Sequence, residues 1–197
     1  QQPLLVIYTG GTIGMQQSPQ GYLPCANIKK LIQNSVSPDI YARLLPFETL
    51  EFEQLIDSSN AQPNDWLKIA LCIQENYHTF AGFIILHGTD TMAYSAAALH
   101  HLFGRTSKPI IVTGSQIPMC ETRSDAVTNF IDALAFCRFY PTNTASPPTT
   151  HQVCISFGGK LLAGNSAKKV HCSDLQAFNS LNSAPLATAN INIEFST

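Results

Sequence analysis

Four short apolar runs constrain what this chain can fold into: "LLVIY" (4–8), "GFIILHG" (82–88), "PIIVTGS" (109–115) and "VCISF" (153–157). Each is bounded by turn-forming residues and reads as a strand buried on both faces. Helical period fills the gaps between them. In "NDWLKIALCIQENYHTF" (64–80), Trp66, Ile69, Ala70, Ile73 and Tyr77 fall on one stripe, and Pro63 suits the first turn. After Ser124, a good N-cap, Val127, Phe130, Ile131 and Leu134 repeat the spacing. Strands alternating with helices imply an α/β fold with a largely parallel sheet flanked by helices and joined by right-handed crossovers. The tail "NINIEF" alternates Ile191, Ile193 and Phe195 with polar residues, which predicts one more, half-buried strand in need of a partner. Residues 142–150 ("TNTASPPTT") form a Pro/Thr-rich stretch expected to be a solvated surface loop.

At 197 residues with 45% hydrophobic content, the whole chain, 1–197, is expected to form one domain around a single core. Eleven Lys plus Arg against thirteen Asp plus Glu, with no basic run longer than a pair, argue against nucleic acid and anionic membrane as partners. No apolar run approaches the roughly 18 residues that a spanning helix needs, and no basic n-region leads a long apolar segment, so neither a membrane span nor a signal peptide is expected. The six cysteines, at 25, 72, 120, 137, 154 and 172, never approach C-x-x-C spacing. Zinc and redox sites are therefore not expected, and the thiols read as reduced structural residues.

In parallel sheets, function sits at the carboxyl ends of strands, which directs attention to "TGGT", "HGTDT", "TGSQ" and "FGGK". In "YTGGTIG" the glycines, Gly11 among them, would let a ligand approach the backbone while Thr12 presents its hydroxyl; the same residues also suit a plain tight turn. Neither G-x-x-x-x-G-K-[ST] nor G-x-G-x-x-G fits, so a nucleotide is disfavoured. Thr89 and Asp90 fall between a buried strand and an Ala-rich helix whose inner stripe is Met92, Ala96, Leu99 and Phe103. They can serve as helix caps, and the helix end would favour an ionised Asp90. His87 reads as a packed strand-end residue. Asp57, Ser58 and Ser59, before the Trp66 helix, can either hold a substrate carboxylate or make a polar turn. Lys168 and Lys169 would be solvated charges unless a carboxylate in a dry cleft recruits one of them.

Taken together, "YTGGTIGM", "QGYLP", "DSSN", "LHGTDTMAYSAAAL", "VTGSQIP", "RSDAVTN" and "GNSAKK" resemble, in order and approximate spacing, the type I cytoplasmic-type bacterial members of the L-asparaginase family, across essentially the whole chain. The resemblance implies a Rossmann-like or flavodoxin-like N-terminal domain, followed in the family by a second, smaller α/β domain that this chain does not include. It implies hydrolysis of L-asparagine, a linear amide, to aspartate and ammonia through an acyl-enzyme, with no cofactor and no metal. Thr12 matches the nucleophile and Tyr22 a lid tyrosine, on a segment (15–22) expected to be mobile without substrate. Thr89, Asp90 and Lys169 match a proton-relaying triad, with Lys168 the competing lysine. Asp57, Ser58 and Asp90 match substrate-binding positions, and Ser115 sits where a backbone carbonyl receives the amide NH₂. A cytoplasmic homodimer or homotetramer is also implied, with the site closed by a neighbouring subunit and little activity in the 197 residues alone. Alternatives with the same motifs are a glutaminase, a tRNA-linked amidotransferase subunit and a non-catalytic amino-acid-binding domain.

Overall fold

The computed structural model describes residues 2–139 and 152–196, so the Pro/Thr-rich stretch at 142–150 lies outside the described residues. The four apolar runs form parallel neighbours. β1 (Leu4–Tyr8) lies between β4 (Phe47–Glu51) and β5 (Phe83–Leu86), and β6 (Ile110–Thr113) and β7 (Val153–Phe157) follow on the β5 side. Three antiparallel strands, β8 (Lys160–Ala163), β11 (Ala187–Ala189) and β12 (Ile193–Phe195), extend the sheet to eight. The tail strand thus finds its partner in β11, but it is shorter than its alternation suggests: Ile191 precedes it and is 100% exposed.

The parallel part has the order β4-β1-β5-β6-β7, which is 2-1-3-4-5 in order along the chain and hence flavodoxin-like. Crossovers leave β1 towards β4 and then return past it to β5, so the connections diverge between β1 and β5. That divergence opens a crevice at the carboxyl ends of these two strands.

Helices cover both faces because strand residues alternate between two cores. Val6, Tyr8, Ile84, Leu86 and Ile111 point to one side, beneath α1 (Ile28–Ser35) and α5 (Ala126–Arg138). Leu5, Ile7, Ile85 and Val112 point to the other, beneath α3 (Pro63–Asn76) and α4 (Met92–Phe103). Each fully buried Ile or Leu contributes about 1.5–3 kcal/mol by removing its apolar surface from water. The short α2 (Pro38–Tyr41) buries none of its residues.

Helix starts follow local chemistry, with two departures from expectation. Asn27 caps α1 through Lys30 N–H, and Pro63 opens α3, where Asp65 accepts from the Gln62 amide at 2.9 Å. At α5 the N-cap is Asp125, one residue beyond Ser124, whose hydroxyl accepts from the Ala126 amide at 3.0 Å. At α4 the N-cap is Thr91, leaving Thr89 and Asp90 in the preceding turn and free of any capping task. Thr91 spends its hydroxyl on the Ser58 carbonyl at 2.7 Å.

Two small sheets complete the described structure. β2 (Met15–Ser18) and β3 (Gly21–Pro24) form an antiparallel hairpin, and β9 (Ala167–Lys169) pairs with β10 (Phe178–Ser180). The segment expected to be a mobile lid is thus a paired hairpin, in register Gln17 opposite Tyr22. All six cysteines are free thiols.

Candidate active site

At the crevice between β1 and β5 lies a cleft of about 420 Å³, lined by Thr12 from the loop after β1 and by Thr89 and Asp90 from the loop after β5. The loops after β1 and β5 touch directly. Gly11 adopts φ 90° and ψ 172°, and a Cβ there would stand 2.4 Å from the Gly88 nitrogen. Only glycine fits both that backbone conformation and that approach. Gly88 in turn is covered by Ser58, since a Cβ on Gly88 would meet the Ser58 hydroxyl at 2.3 Å. Three chain segments, 10–12, 57–58 and 88–90, thereby converge on one small volume.

Lys169 enters from β9. Its ammonium donates to Thr89 Oγ1 at 2.8 Å and to Asp90 Oδ1 at 2.9 Å. Strand pleat decides between the adjacent lysines: Lys169 is part-buried and turned to the cleft, whereas Lys168 points the other way and is exposed. The Lys169 side chain is 17% exposed against 62% for Asp90, so the pair sits at the cleft mouth. Thr89 Oγ1 donates onward to Gln116 Oε1 at 3.2 Å, and Gln116 Nε2 donates to the carbonyls of Cys172 and Asp174 at 2.9 and 3.1 Å. The ammonium therefore supports the Thr89 oxygen as a donor, while the hydroxyl proton faces an amide oxygen. In the same cleft the Thr12 hydroxyl has no side-chain partner among the described residues.

The remaining expected site residues divide. Asp57 and Ser58 line the cleft. The Asp57 carboxylate accepts from the Ser59 amide, the Ser59 hydroxyl and Asn60 Nδ2, and these bonds, led by the Ser59 hydroxyl, hold it below the usual carboxylate range. Ser59 is thus consumed in orienting Asp57 and does not line the cleft. Ser115 is buried with its hydroxyl on the Ile117 carbonyl at 2.7 Å, and its neighbour Gln116 forms the wall instead. Tyr22 is 46% exposed, away from the cleft lining, and donates to Glu121 Oε1 at 2.6 Å. That bond raises its pKa.

Sequence reasoning missed Gln116 and Cys172 as cleft residues, and Asp125 and Asn129 behind them. Both Asp125 oxygens accept from the Gln116 amide, one also from the Ile117 amide, and Asn129 ties Asp125 to the Gly114 carbonyl and the Gly158 amide. The signals are present in part: "TGSQ" stands at a strand end, and Asp125, the N-cap of α5, lies one helical turn before Asn129. Cys172 lies in an irregular segment with no local pattern.

His87 is packed, as expected of it. Its Nδ1 bonds the Gly88 carbonyl at 2.7 Å, which requires the proton on Nδ1 and leaves Nε2 to accept from Ser95 Oγ at 3.0 Å. Ser95 accepts from the Trp66 indole N–H at 2.9 Å. Burial lowers the His87 pKa and keeps the ring neutral, a fixed strut under the Gly88 peptide.

The fold and cleft define an α/β domain with a hydroxyl-rich site at the switch point of a flavodoxin-like sheet. Residues 3–197 match the family described as Asparaginase, N-terminal. The chain is 42% identical to L-asparaginase 1 of Escherichia coli (strain K12), over 98% of this chain and 55% of the relative. L-asparaginase I from Vibrio cholerae superposes with a TM-score of 0.87 at 40% identity, over 100% of this chain and 56% of that one. The thermostable L-asparaginase from Thermococcus kodakarensis gives 0.79 at 30% identity, over 99% and 56%. The chain spans a little over half the length of these relatives, and it belongs to the asparaginase family. Among the described residues no helix is long and apolar enough to cross a membrane.

Proposed function

We propose that the protein hydrolyses L-asparagine to L-aspartate and ammonia, with Thr12 as nucleophile. The observation that carries this reading is the Lys169 ammonium bonded to both Thr89 and Asp90 in a cleft also lined by Thr12, whose hydroxyl has no side-chain partner among the described residues. A threonine hydroxyl is a weak nucleophile at neutral pH and needs an acceptor in the closed complex. Tyr22, carried on the hairpin beside Thr12, is the candidate. The Thr12 and Thr89 amides, neither spent on a backbone carbonyl among the described residues, are suited to hold the oxyanion of the tetrahedral intermediate. Asp90 and Asp57 offer carboxylates to the substrate ammonium, Ser58 a hydroxyl to its carboxylate, and Gly11 the clearance that admits it. The acyl-enzyme at Thr12 would then be cleaved by water oriented by Thr89, which the Lys169–Asp90 pair holds in place, and the proton released by the water returns to the Thr12 oxygen as it leaves.

The relatives' greater length supports a second domain after this one, and the exposed mouth of the cleft suits closure by a further subunit in a homodimer or homotetramer. The names of the relatives favour asparagine over glutamine. An ammonia-release assay on the intact protein tests the reading: asparagine-dependent ammonia well above that of Thr12→Val supports it, and equal rates from the two would refute it. A preference for glutamine or glutaminyl conjugates would transfer the same chemistry to the amidotransferase reading.

A further inference from the structure

The β2–β3 hairpin carries Tyr22 close in sequence to Thr12, yet the two hydroxyls are not joined. A phenol has one proton to donate, and Tyr22 gives it to Glu121 Oε1 at 2.6 Å. The same oxygen receives Gln17 Nε2 at 2.6 Å, and Gln17 also donates to Tyr22 Oη at 3.4 Å. Gln17 and Tyr22 are cross-strand partners, so one carboxylate oxygen grips both strands of the hairpin. The turn bearing Glu121 is itself fastened to the nucleophile loop and the hairpin base, through Met119 N–H to the Ile13 carbonyl at 3.3 Å and Cys120 Sγ to the Met15 carbonyl at 3.4 Å. Glu121 and Gln17 border a separate surface depression with Gln16 and Cys120, whereas the cleft is bordered on the hairpin side by Met15 and Pro24.

We propose that Glu121 is a positioning residue that holds the hairpin with Tyr22 latched away from Thr12, so that Tyr22 reaches the nucleophile only when the Glu121 bond is given up. Bonding to Glu121 and to Thr12 are alternative uses of one hydroxyl, and the latched arrangement subtracts from the population ready to bind substrate. The kinetic side of this inference rests on Thr12 being the nucleophile; the hairpin side does not.

Two measurements on the intact protein test it. Hydrogen exchange of the ligand-free protein should show faster exchange across residues 16–23 in Glu121→Ala, a smaller gain in Tyr22→Phe, which keeps the Gln17 bond, and in the double variant no gain beyond that of Glu121→Ala. In ammonia release, Glu121→Ala should lower KM for asparagine about threefold to tenfold, the range imposed by a competing state populated at about 70–90%, with kcat little changed. Glu121→Gln keeps an acceptor oxygen without the charge and should fall between the two in both measurements. A merely structural Glu121 would raise KM or leave it alone. Unchanged exchange in the hairpin, additive exchange gains in the double variant, or a KM that stays level or rises would each overturn the proposal. If the unsubstituted protein released no ammonia, the function reading would fail and the exchange measurement would decide the latch alone.

Discussion

Replacing Gly11 by Ala tests the convergence of loops on which the site depends. At φ 90° and ψ 172° the residue occupies a region essentially reserved for glycine, and a side chain there costs on the order of 1–3 kcal/mol in backbone strain. The new methyl would also lie 2.4 Å from the Gly88 nitrogen and 2.5 Å from its Cα, where ordinary contact begins at 3.4 Å, so the two loops must part by about 1 Å. Neither side is a flexible side chain that could swing clear. Strain and separation together give about 3 kcal/mol of lost stability, or about 6–12 °C in Tm for a domain of this size. Parting the Thr12 and Thr89 walls by that distance is expected to reduce kcat/KM by about 10²-fold or more. Gly21 supplies the control: its φ is 106°, but a Cβ there meets nothing within 4 Å, so Gly21→Ala carries strain without collision. Calorimetry and ammonia release on both variants read the two terms separately. Equal Tm losses in the two, or a Gly11→Ala protein with wild-type kcat/KM, would refute the argument that close approach of the loops shapes the site.

Lys169→Met should lower kcat about 10²–10⁴-fold with a lesser change in KM, while Lys168→Met, on the opposite face of the strand, stays within about twofold; a reversed ranking in steady-state kinetics would reassign the lysine. Burial pushes the Asp132 carboxyl up to about 6, so its folded pKa exceeds its unfolded one. Its contribution to stability is full below pH 4 and is lost as pH rises through 6. Asp132→Asn should therefore raise Tm at pH 7–8, by an amount that the partial exposure of the carboxyl keeps small, and do little at pH 4; thermal scans giving the opposite pH trend would contradict the burial argument. Native thiol titration should find Cys120 and Cys172 reactive, since both are exposed, and Cys137 and Cys154 silent, because burial raises both thiols, Cys154 to about 12.

The parallel core was legible because burial on both faces leaves an uninterrupted apolar run, which is why Leu4–Tyr8 and Val153–Phe157 match their strands residue for residue. The antiparallel extension was harder to read: the alternation of the tail revealed β12, but β8 and β11 run four and three residues and carry too few side chains to establish a period. Thr12, Thr89 and Asp90 could be placed at the cleft because strand ends and glycines mark the place. What each hydroxyl or amide then bonds could not: the commitments of Ser59 to Asp57, Ser115 to Ile117 and Tyr22 to Glu121 depend on side-chain directions set by loops with no periodic signal. Gln116 escaped notice as a bonding partner for the same reason, since its contacts to Cys172 and Asp174 lie more than fifty residues away.

The strut beneath Gly88 has an optical consequence. Trp66 is the single tryptophan of the chain, and three hydrogen bonds, through Ser95 and His87, separate its indole N–H from the carbonyl next to Thr89. An indole's emission responds to the partner of its N–H. Occupancy of the cleft that shifts the Gly88 peptide should therefore be visible in the protein's own fluorescence, without a label and without turnover.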